Sequence, residues 1–197
     1  MGSTVVLSSK SRCRARFRTY RRSLPPTSRQ ARSALITHRA LGHRAVATGT
    51  TVHVYWPLYE RGEIDTRPLI AALRGRGATV VLPVVTSFAP NAPTMDHRRY
   101  EGPGCLTTNR WGIREPQNTA RIAPEALDVV IVPAIGAGRD GHRIGQGGGY
   151  YDAFLDAVNA PRIGLAYEAC LLPRVPSAPH DIRLTTIITE RTSLTIA

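Results

Sequence analysis

Apolar positions at helical spacing begin near the N-terminus. Residues 9–24 contain neither Gly nor Pro, and Phe17, Tyr20 and Leu24 recur at i, i+3 and i+7. This spacing places the three side chains on one face of a helix, and two consecutive prolines directly afterwards stop it. We therefore predict a helix over residues 9–24 with a modest apolar stripe.

A second helical pattern follows the two prolines. Thr27 or Ser28 supplies the side-chain oxygen that an N-cap requires. The pattern continues to about His43, and its apolar positions include Leu35 and Ile36. The first part of the chain is therefore predicted to be two helices joined by a short turn.

Uniformly apolar runs bounded by turn residues predict the strands. A helix capped by Asp65 or Thr66 and ended by glycines is predicted through Leu73, and another over residues 150–158. Residues 108–127 are predicted to be irregular. The predicted strands cover residues 51–56, 78–85, 127–134, 162–166 and 184–189, with one or two further short strands in 95–107.

The alternation of strands and helices indicates the fold class. Strands that are apolar on both faces belong to a largely parallel sheet covered on both sides. We therefore predict an α/β protein with three layers, α/β/α, around a largely parallel central sheet. The length of 197 residues suits a single domain over 1–197, with residues 1–50 as a basic helical N-terminal segment.

Positive charge is concentrated near the N-terminus. The formal net charge is +12, and residues 1–59 hold Lys10 and ten arginines but no Asp or Glu. Such asymmetry favours an anionic partner for this segment. Lys10 is also the only lysine in the chain. The other basic residues of the chain are arginines, so a lysine at this position is either accidental or required for a function that needs an ammonium group.

The cysteines and the hydropathy of the chain indicate in which cellular compartment the protein is expected. The three cysteines lie far apart in sequence and form no CxxC pair, so we expect reduced thiols, with neither a disulfide framework nor a zinc site. No apolar run approaches the ~20 residues that span a bilayer. The N-terminus also lacks the apolar core of a signal peptide. We expect a cytoplasmic protein without a membrane partner.

The segment with the clearest chemical meaning is RIGQGGGYYD, residues 143–152. Its glycines allow the backbone to approach a ligand closely, and successive N–H groups there suit a phosphate. The guanidinium of Arg143 can donate several hydrogen bonds to a phosphate. The carboxylate of Asp152 would repel a bare phosphate, so it is better explained as a ligand of Mg²⁺ bound beside a nucleotide. The alternative is a tight glycine turn capped by Asp152. The pattern is neither a Walker loop nor a dinucleotide fingerprint.

RIGQGGGYYDAFL resembles the signature of the 5-formyltetrahydrofolate cyclo-ligase family, and the preceding DVVIVPAIGAGRDGH has the strand-and-loop form of that family. Other matches follow in the same order. Lys10 and Arg14 fit a Lys-x-x-x-Arg pattern, Glu63 lies in GEIDT, Trp111 lies in RWGIREP, and Asp181 follows Pro-His. The resemblance spans about residues 9–190, and its glycine motif is the specific part.

The resemblance implies a fold, a reaction and a set of site residues. The implied fold is like that of sugar-phosphate isomerases and CoA transferases. The implied enzyme is a monomer that uses ATP and Mg²⁺ to convert 5-formyltetrahydrofolate to 5,10-methenyltetrahydrofolate, in the one-carbon metabolism of folates. The implied catalytic residues are Lys10 and Arg143; the ATP-binding residues Lys10, Arg14, Arg143, Ile144, Gly145, Gln146, Gly147, Gly148, Gly149, Tyr150 and Tyr151; the substrate-binding residues Leu58, Glu63, Trp111, Gly147, Gly148, Gly149 and Tyr150; and the metal ligands Asp152 and Asp181.

Simpler structural interpretations remain for several of these residues. Lys10 and Arg14 could form a solvated helix face, Glu63 could be a surface acid, and Trp111 could be a core residue. Three other functions are open. The Arg-rich helices could bind nucleic acid, the same fold could serve another nucleotide-dependent ligase, or an inactive family member could act in protein interactions.

Overall fold

The structure is a computed structural model and describes residues 9–89 and 93–196. Five α-helices occur in these residues: α1 (Lys10–Ser23), α2 (Pro26–Gly42), α3 (Arg44–Thr48), α4 (Arg67–Gly75) and α5 (Tyr150–Asp156). The strands are β1 (Thr51–His53), β2 (Thr79–Ser87), β3 (Thr94–Arg99), β4 (Leu106–Thr108), β5 (Arg114–Pro116), β6 (Val129–Pro133), β7 (Gly136–Gly138), β8 (Arg143–Ile144), β9 (Arg162–Leu165), β10 (Leu171–Leu172), β11 (Thr186–Ile188) and β12 (Ser193–Thr195). No helix in the described ranges is long and apolar enough to cross a bilayer.

Seven strands form the central sheet in the order β12-β11-β9-β6-β1-β2-β3. The five inner strands are parallel to one another, and the two edge strands, β3 and β12, pair antiparallel with their neighbours. The prediction of a largely parallel sheet in an α/β fold is therefore confirmed.

Alternate side chains of the strands pack into two different cores. Val80 and Leu82 of β2 join the core beneath α1 to α4, whereas Val81 joins the core beneath α5. β6 divides its side chains in the same way, with Ile131 on the first side and Val130 on the second. This alternation follows from the two-residue period of a strand, and it produces the three predicted layers.

The ends of the N-terminal helices differ partly from the predictions. α1 agrees with its predicted range. The predicted N-cap of α2 is wrong, because the helix begins at Pro26 and Pro25 occupies the cap position without a side-chain hydrogen bond. Proline suits the first turn of a helix, where its missing N–H group would be unpaired in any case. Within α2, Ile36 is fully buried while Leu35 is 51% exposed, so only one of these apolar neighbours belongs to the core.

The α4 helix begins after Thr66, one of the two predicted cap residues. The Thr66 side chain does not cap the helix; its hydroxyl donates instead to the carbonyl of Tyr55 at 2.7 Å. Asp65 supplies a local acceptor, since its Oδ1 lies 3.1 Å from the backbone nitrogen of Arg67.

Short strands also occur outside the predicted strands. β7, β8 and β10 form a separate three-stranded sheet beside the glycine loop, and none of the three lies in a predicted strand. β5 lies in the segment predicted to be irregular. These strands have two or three residues, which is too short for an alternating pattern to be visible in the sequence.

Gly136 lies at the closest approach between α1 and the small sheet. A Cβ at this position would lie 2.4 Å from two ring carbons of Phe17 and 2.6 Å from the carbonyl oxygen of Cys170. We expect Gly136→Ala to lower the free energy of unfolding by about 1–3 kcal/mol, because neither neighbour can move without disturbing the core. Chemical denaturation measures this loss. Gly75→Ala is the matched control, since a Cβ there would meet nothing within 4 Å, and unchanged stability of Gly136→Ala would contradict the close approach.

A cluster of aromatic rings lies between the sheet and α5. His53 is fully buried, and its ring centroid lies 5.2 Å from that of His97 and 4.9 Å from that of Phe154. Neither ring nitrogen of His53 has a hydrogen-bond partner among the described residues. Burial lowers the pKa of His53 well below its ordinary value and lowers the pKa of His97 to about 4, although the charge of Asp96 acts in the opposite direction on His97.

These histidines make the protein sensitive to acid. Both are neutral in the folded state at pH values where the unfolded chain already takes up protons, so stability falls as the pH drops below about 6.5. For His97 this loss continues to a pH of about 4. We expect a slope that approaches about 1.4 kcal/mol per pH unit for each histidine. Denaturation at several pH values measures it. His53→Phe should reduce the slope, the exposed His38→Gln should not, and equal slopes in both variants would contradict the assignment.

Candidate functional site

A cavity of about 510 Å³ opens beyond the carboxyl ends of the parallel strands. Tyr55 and Trp56, which follow β1, line it, as do Pro133 and Ala134 at the end of β6. In α/β sheets this edge is where ligands bind, because the loops after neighbouring strands diverge there. The cavity brings together these residues predicted to act in the site: Lys10, Arg14, Leu58, Glu63, Trp111, Arg143, Gly145, Gln146, Gly147, Gly148, Gly149, Tyr150, Tyr151, Asp152 and Asp181.

Ile144 is the exception among the predicted residues. It is fully buried, packs in the core beneath α1 to α4, and does not line the cavity. Its carbonyl accepts a hydrogen bond from the backbone nitrogen of Ile135 at 2.7 Å, which supports the small sheet.

Lys10 and Arg14 lie one turn apart on α1 and contact different parts of the site. The Lys10 ammonium lies 2.6 Å from Oδ1 and 2.5 Å from Oδ2 of Asp181, and Arg14 Nε donates to the carbonyl of Gly145 at 2.9 Å. The alternative of a merely solvated helix face does not hold, because both side chains line the cavity and bind residues more than a hundred positions away.

Asp181 is held as a carboxylate. Its side chain is 10% exposed, and burial by itself works to raise its pKa. The hydrogen bonds from Lys10 and from the backbone nitrogen of Ala178 outweigh burial, so the pKa of Asp181 is lowered. A charged carboxylate beside the only lysine therefore faces the cavity.

Arg143 and Asp152 form a second ion pair in the same cavity. Arg143 donates from one guanidinium nitrogen to Oδ1 of Asp152 at 2.7 Å and from the other to the carbonyl of Ile182 at 2.7 Å. The backbone nitrogen of Ile182 also donates to Oδ1 of Asp152, at 3.2 Å. Three hydrogen bonds therefore hold this ion pair, and the Arg143 side chain is only 5% exposed.

The glycine loop joins β8 to α5 and forms one wall of the cavity. Gly147 has a φ of +106° and Gly149, the N-cap of α5, has a φ of +74°. Side chains rarely tolerate these values, which explains glycine at both positions. A Cβ on Gly147 would lie 3.5 Å from the Arg14 guanidinium, so the loop backbone runs directly beside a cation.

Glu63 lies inside the site and is only 8% exposed, so the alternative of a surface acid does not hold. Its Oε2 accepts from the backbone nitrogen of Leu58 at 2.8 Å, and its Oε1 accepts from Gln146 Nε2 at 3.3 Å. Gln146 Oε1 in turn accepts from Arg18 at 2.8 Å. The carboxylate is therefore linked to the glycine loop by a side-chain hydrogen bond.

Aromatic side chains also line the cavity. Trp111 is 36% exposed and lies edge-on to Tyr150 at 5.7 Å and to Phe88 at 4.4 Å, so the alternative of a core residue does not hold. Tyr150 is fixed by its hydroxyl, which donates to the carbonyl of Ser87 at 2.9 Å. Tyr151 also lines the cavity, and burial of its hydroxyl raises its pKa.

Several cavity residues were not among the predicted set. The sequence contained a signal for several of them, since predicted strands end at Trp56 and Ala134 and parallel strands bind ligands at that end. Ile113, Arg114 and Glu115 belong to the RWGIREP segment, and His180 directly precedes Asp181. No comparable signal marks Arg61 and Met95.

No cluster of three or more His, Cys, Asp or Glu suited to a metal ion occurs within the described ranges. Asp152 and Asp181 nevertheless line one cavity, and each carboxylate contacts a cation, Arg143 and Lys10 respectively. One or two carboxylates together with nucleotide phosphates are a common ligand set for Mg²⁺. The residues present therefore fit a metal that is bound with a nucleotide.

Many of the N-terminal arginines bind the protein itself. Arg29 donates to the carbonyl of Tyr59 at 2.9 Å, Arg39 donates to the carbonyl of Glu190 at 3.3 Å, and Arg32 pairs with the carboxylate of Glu190. Arg21 is buried and donates to the carbonyl of Ala134. Part of the basic excess thus serves to attach α1 and α2 to the rest of the fold.

Comparison with known proteins agrees with this geometry. The model of the 5-formyltetrahydrofolate cyclo-ligase family matches residues 6–190. The 5-formyltetrahydrofolate cyclo-ligase of Mycolicibacterium smegmatis is 34% identical over 190 residues, which cover 93% of this chain and 94% of that protein. The enzyme of the same name from Escherichia coli K12 is 33% identical over 178 residues, covering 88% of this chain and 96% of its own length.

Solved structures give the same result. The NMR structure of Aquifex aeolicus 5,10-methenyltetrahydrofolate synthetase has a TM-score of 0.84 at 27% identity and covers 95% of this chain and 92% of that one. A 5,10-methenyltetrahydrofolate synthetase from Mycoplasma pneumoniae, at 21% identity and a TM-score of 0.73, shares the fold. The sequence match over nearly the whole chain establishes that this protein belongs to the 5-formyltetrahydrofolate cyclo-ligase family of enzymes.

Proposed function

We propose that this protein cyclises 5-formyltetrahydrofolate to 5,10-methenyltetrahydrofolate, with hydrolysis of ATP to ADP and phosphate and a requirement for Mg²⁺. The observation that carries the proposal is the single cavity that holds Lys10, Arg14 and Arg143, the glycine loop and the aromatic side chains of Trp111 and Tyr150. A triphosphate and a flat heterocycle need such complementary surroundings.

The reaction proceeds in two steps in this proposal. The oxygen of the formyl group on N5 attacks the γ-phosphorus of ATP, and the bond between this phosphorus and the β–γ bridging oxygen breaks to release ADP. N10 then attacks the formyl carbon, its proton is released, and the oxygen departs as part of inorganic phosphate. The product has a carbon bridge between N5 and N10. Because the attacking nitrogen belongs to the substrate, the protein needs no nucleophile of its own.

The cations are assigned to the transferring phosphoryl group. Lys10 and Arg143 are the proposed catalytic residues, and Arg14 beside Gly147 holds the phosphates against the loop backbone. Preorganised positive charge lowers the barrier because it is already in place as negative charge moves between oxygens. Asp152 and Asp181 would hold Mg²⁺, which supplies charge neutralisation on the phosphates when it is bound.

The aromatic part of the cavity is assigned to the folate. Trp111 and Tyr150 offer ring surfaces, Leu58 an apolar contact, and Glu63 a carboxylate that accepts hydrogen bonds from N–H groups. Glu63 already accepts from Leu58 and Gln146, so its orientation is set before substrate binds. The glycines at 147–149 lie between the two parts of the cavity in this proposal.

Absorbance tests the proposal directly. The protein is mixed with 5-formyltetrahydrofolate, ATP and Mg²⁺, and the near-ultraviolet band of methenyltetrahydrofolate is followed. Growth of the band that requires both ATP and metal supports the reaction. A flat trace, together with ATP binding in calorimetry, would contradict it and favour another nucleotide-dependent ligase on this fold.

A further inference from the structure

We infer that Asn109 and Glu115 are positioning residues that hold Trp111 in the wall of the substrate cavity, an inference that rests on the proposed function. Trp111 lies in the turn between β4 and β5, at residues 109–113. Asn109 and Glu115 flank this turn, and neither was among the residues predicted from the sequence.

The Asn109 side chain organises the turn. Its Oδ1 accepts from the backbone nitrogen of Trp111 at 2.9 Å and from that of Ile113 at 3.1 Å. Its own backbone adds two bonds, from Asn109 N to the Ile113 carbonyl at 2.8 Å and from Gly112 N to the Asn109 carbonyl at 3.0 Å. The backbone on both sides of the Trp111 side chain is therefore bound to one asparagine.

Glu115 attaches this turn to the central sheet. Its Oε1 accepts from Asn109 Nδ2 at 2.8 Å and from the backbone nitrogen of Val85, in β2, at 3.0 Å. Glu115 is 6% exposed, so water competes little for these bonds. These bonds add to the packing of Leu106 against the core in holding a hairpin whose strands have only three residues each.

The result is a defined position for the Trp111 ring. The ring lies against Phe88 in the loop after β2 and against Tyr150 at the start of α5. The Trp111 carbonyl also accepts from Arg61 at 3.4 Å. Because Lys10 and Arg14 contact Asp181 and Gly145 rather than this turn, its displacement should weaken folate binding and leave ATP binding nearly unchanged.

The test uses variants that break and then rebuild the hydrogen bond. Asn109→Asp keeps the acceptor for Trp111 and Ile113 but places a carboxylate against Glu115. We expect roughly a tenfold rise in KM for 5-formyltetrahydrofolate, with KM for ATP unchanged and kcat within about threefold. The double variant N109D/E115Q removes the repulsion and restores the side-chain bond with its direction reversed, since the amide of Gln donates to Asp. That amide then occupies the place of Oε1, so the backbone nitrogen of Val85 loses its acceptor. We expect the double variant to recover part of the loss.

Tryptophan fluorescence distinguishes a displaced Trp111 ring from a general loss of stability. The chain has two tryptophans, Trp56 and Trp111, so Trp56→Phe leaves Trp111 as the only tryptophan whose fluorescence is observed. In that background, acrylamide should quench Trp111 more strongly in Asn109→Asp, and the quenching in N109D/E115Q should return toward the starting value. A purely structural loss of stability would lower the melting temperature without this recovery.

The outcomes are distinct. If the unsubstituted protein does not convert 5-formyltetrahydrofolate, the proposed function fails, and the quenching experiment still tests the position of Trp111. Unchanged KM and quenching in Asn109→Asp, or no recovery in the double variant, would overturn the inference. Should Asn109→Asp not fold, Gly112→Ala replaces it: its φ of +80° disfavours alanine while its Cβ would meet nothing within 4 Å, so the same selective rise in folate KM is required.

Discussion

Lys10→Ala is expected to lower kcat/KM for ATP by roughly 100-fold or more while leaving the fold intact, because it removes a preorganised charge from the proposed phosphoryl-transfer site. Lys10 is the only lysine in the chain, and its ammonium contacts both oxygens of Asp181 at the cavity. Steady-state kinetics with varied ATP at saturating folate measures the effect.

Two controls make this result specific to Lys10. Arg16→Ala removes an exposed cation from the same helix, and its kinetics should match those of the unsubstituted protein. Lys10→Arg keeps the charge and should recover part of the activity, since a guanidinium differs from an ammonium in shape. Equal ATP kinetics in Lys10→Ala and Arg16→Ala would remove Lys10 from the site.

Asp152→Asn is expected to raise the Mg²⁺ concentration needed for half-maximal activity by roughly tenfold or more, since it replaces a charged oxygen of the proposed metal ligand by a neutral one. The amide oxygen of Asn can still accept from Arg143 and from the backbone nitrogen of Ile182, which both bind Oδ1 of Asp152. The substitution therefore tests charge more than packing.

The matched control for this experiment is Asp156→Asn, which removes an exposed carboxylate from the same helix. Its metal titration should be unaltered. Thermal unfolding in the absence of metal shows how much of any effect comes from the Arg143 ion pair. If Asp152→Asn and Asp156→Asn require the same Mg²⁺ concentration, Asp152 is not a metal ligand.

Local patterns determined most of the secondary structure. The apolar runs that became β2, β6 and β9, and the helical spacing that became α1, are long enough for their period to be visible. The same residues also imposed the parallel sheet, because strands that are apolar on both faces require cover on both sides. The glycine loop was recognisable because two of its glycines occupy backbone conformations that other residues rarely adopt.

Tertiary structure alone decided which residues meet at the site. Lys10 and Asp181 are 171 positions apart, and Arg14 and Gly145 are 131 apart, so no local spacing relates them. They meet because α1 packs on the small sheet beside the glycine loop. Likewise, the exposure of Trp111 depends on how Asn109 and Glu115 fix a hairpin too short to show a pattern. Sequence periodicity determines the faces of helices and strands, whereas these long-range contacts depend on how the faces pack.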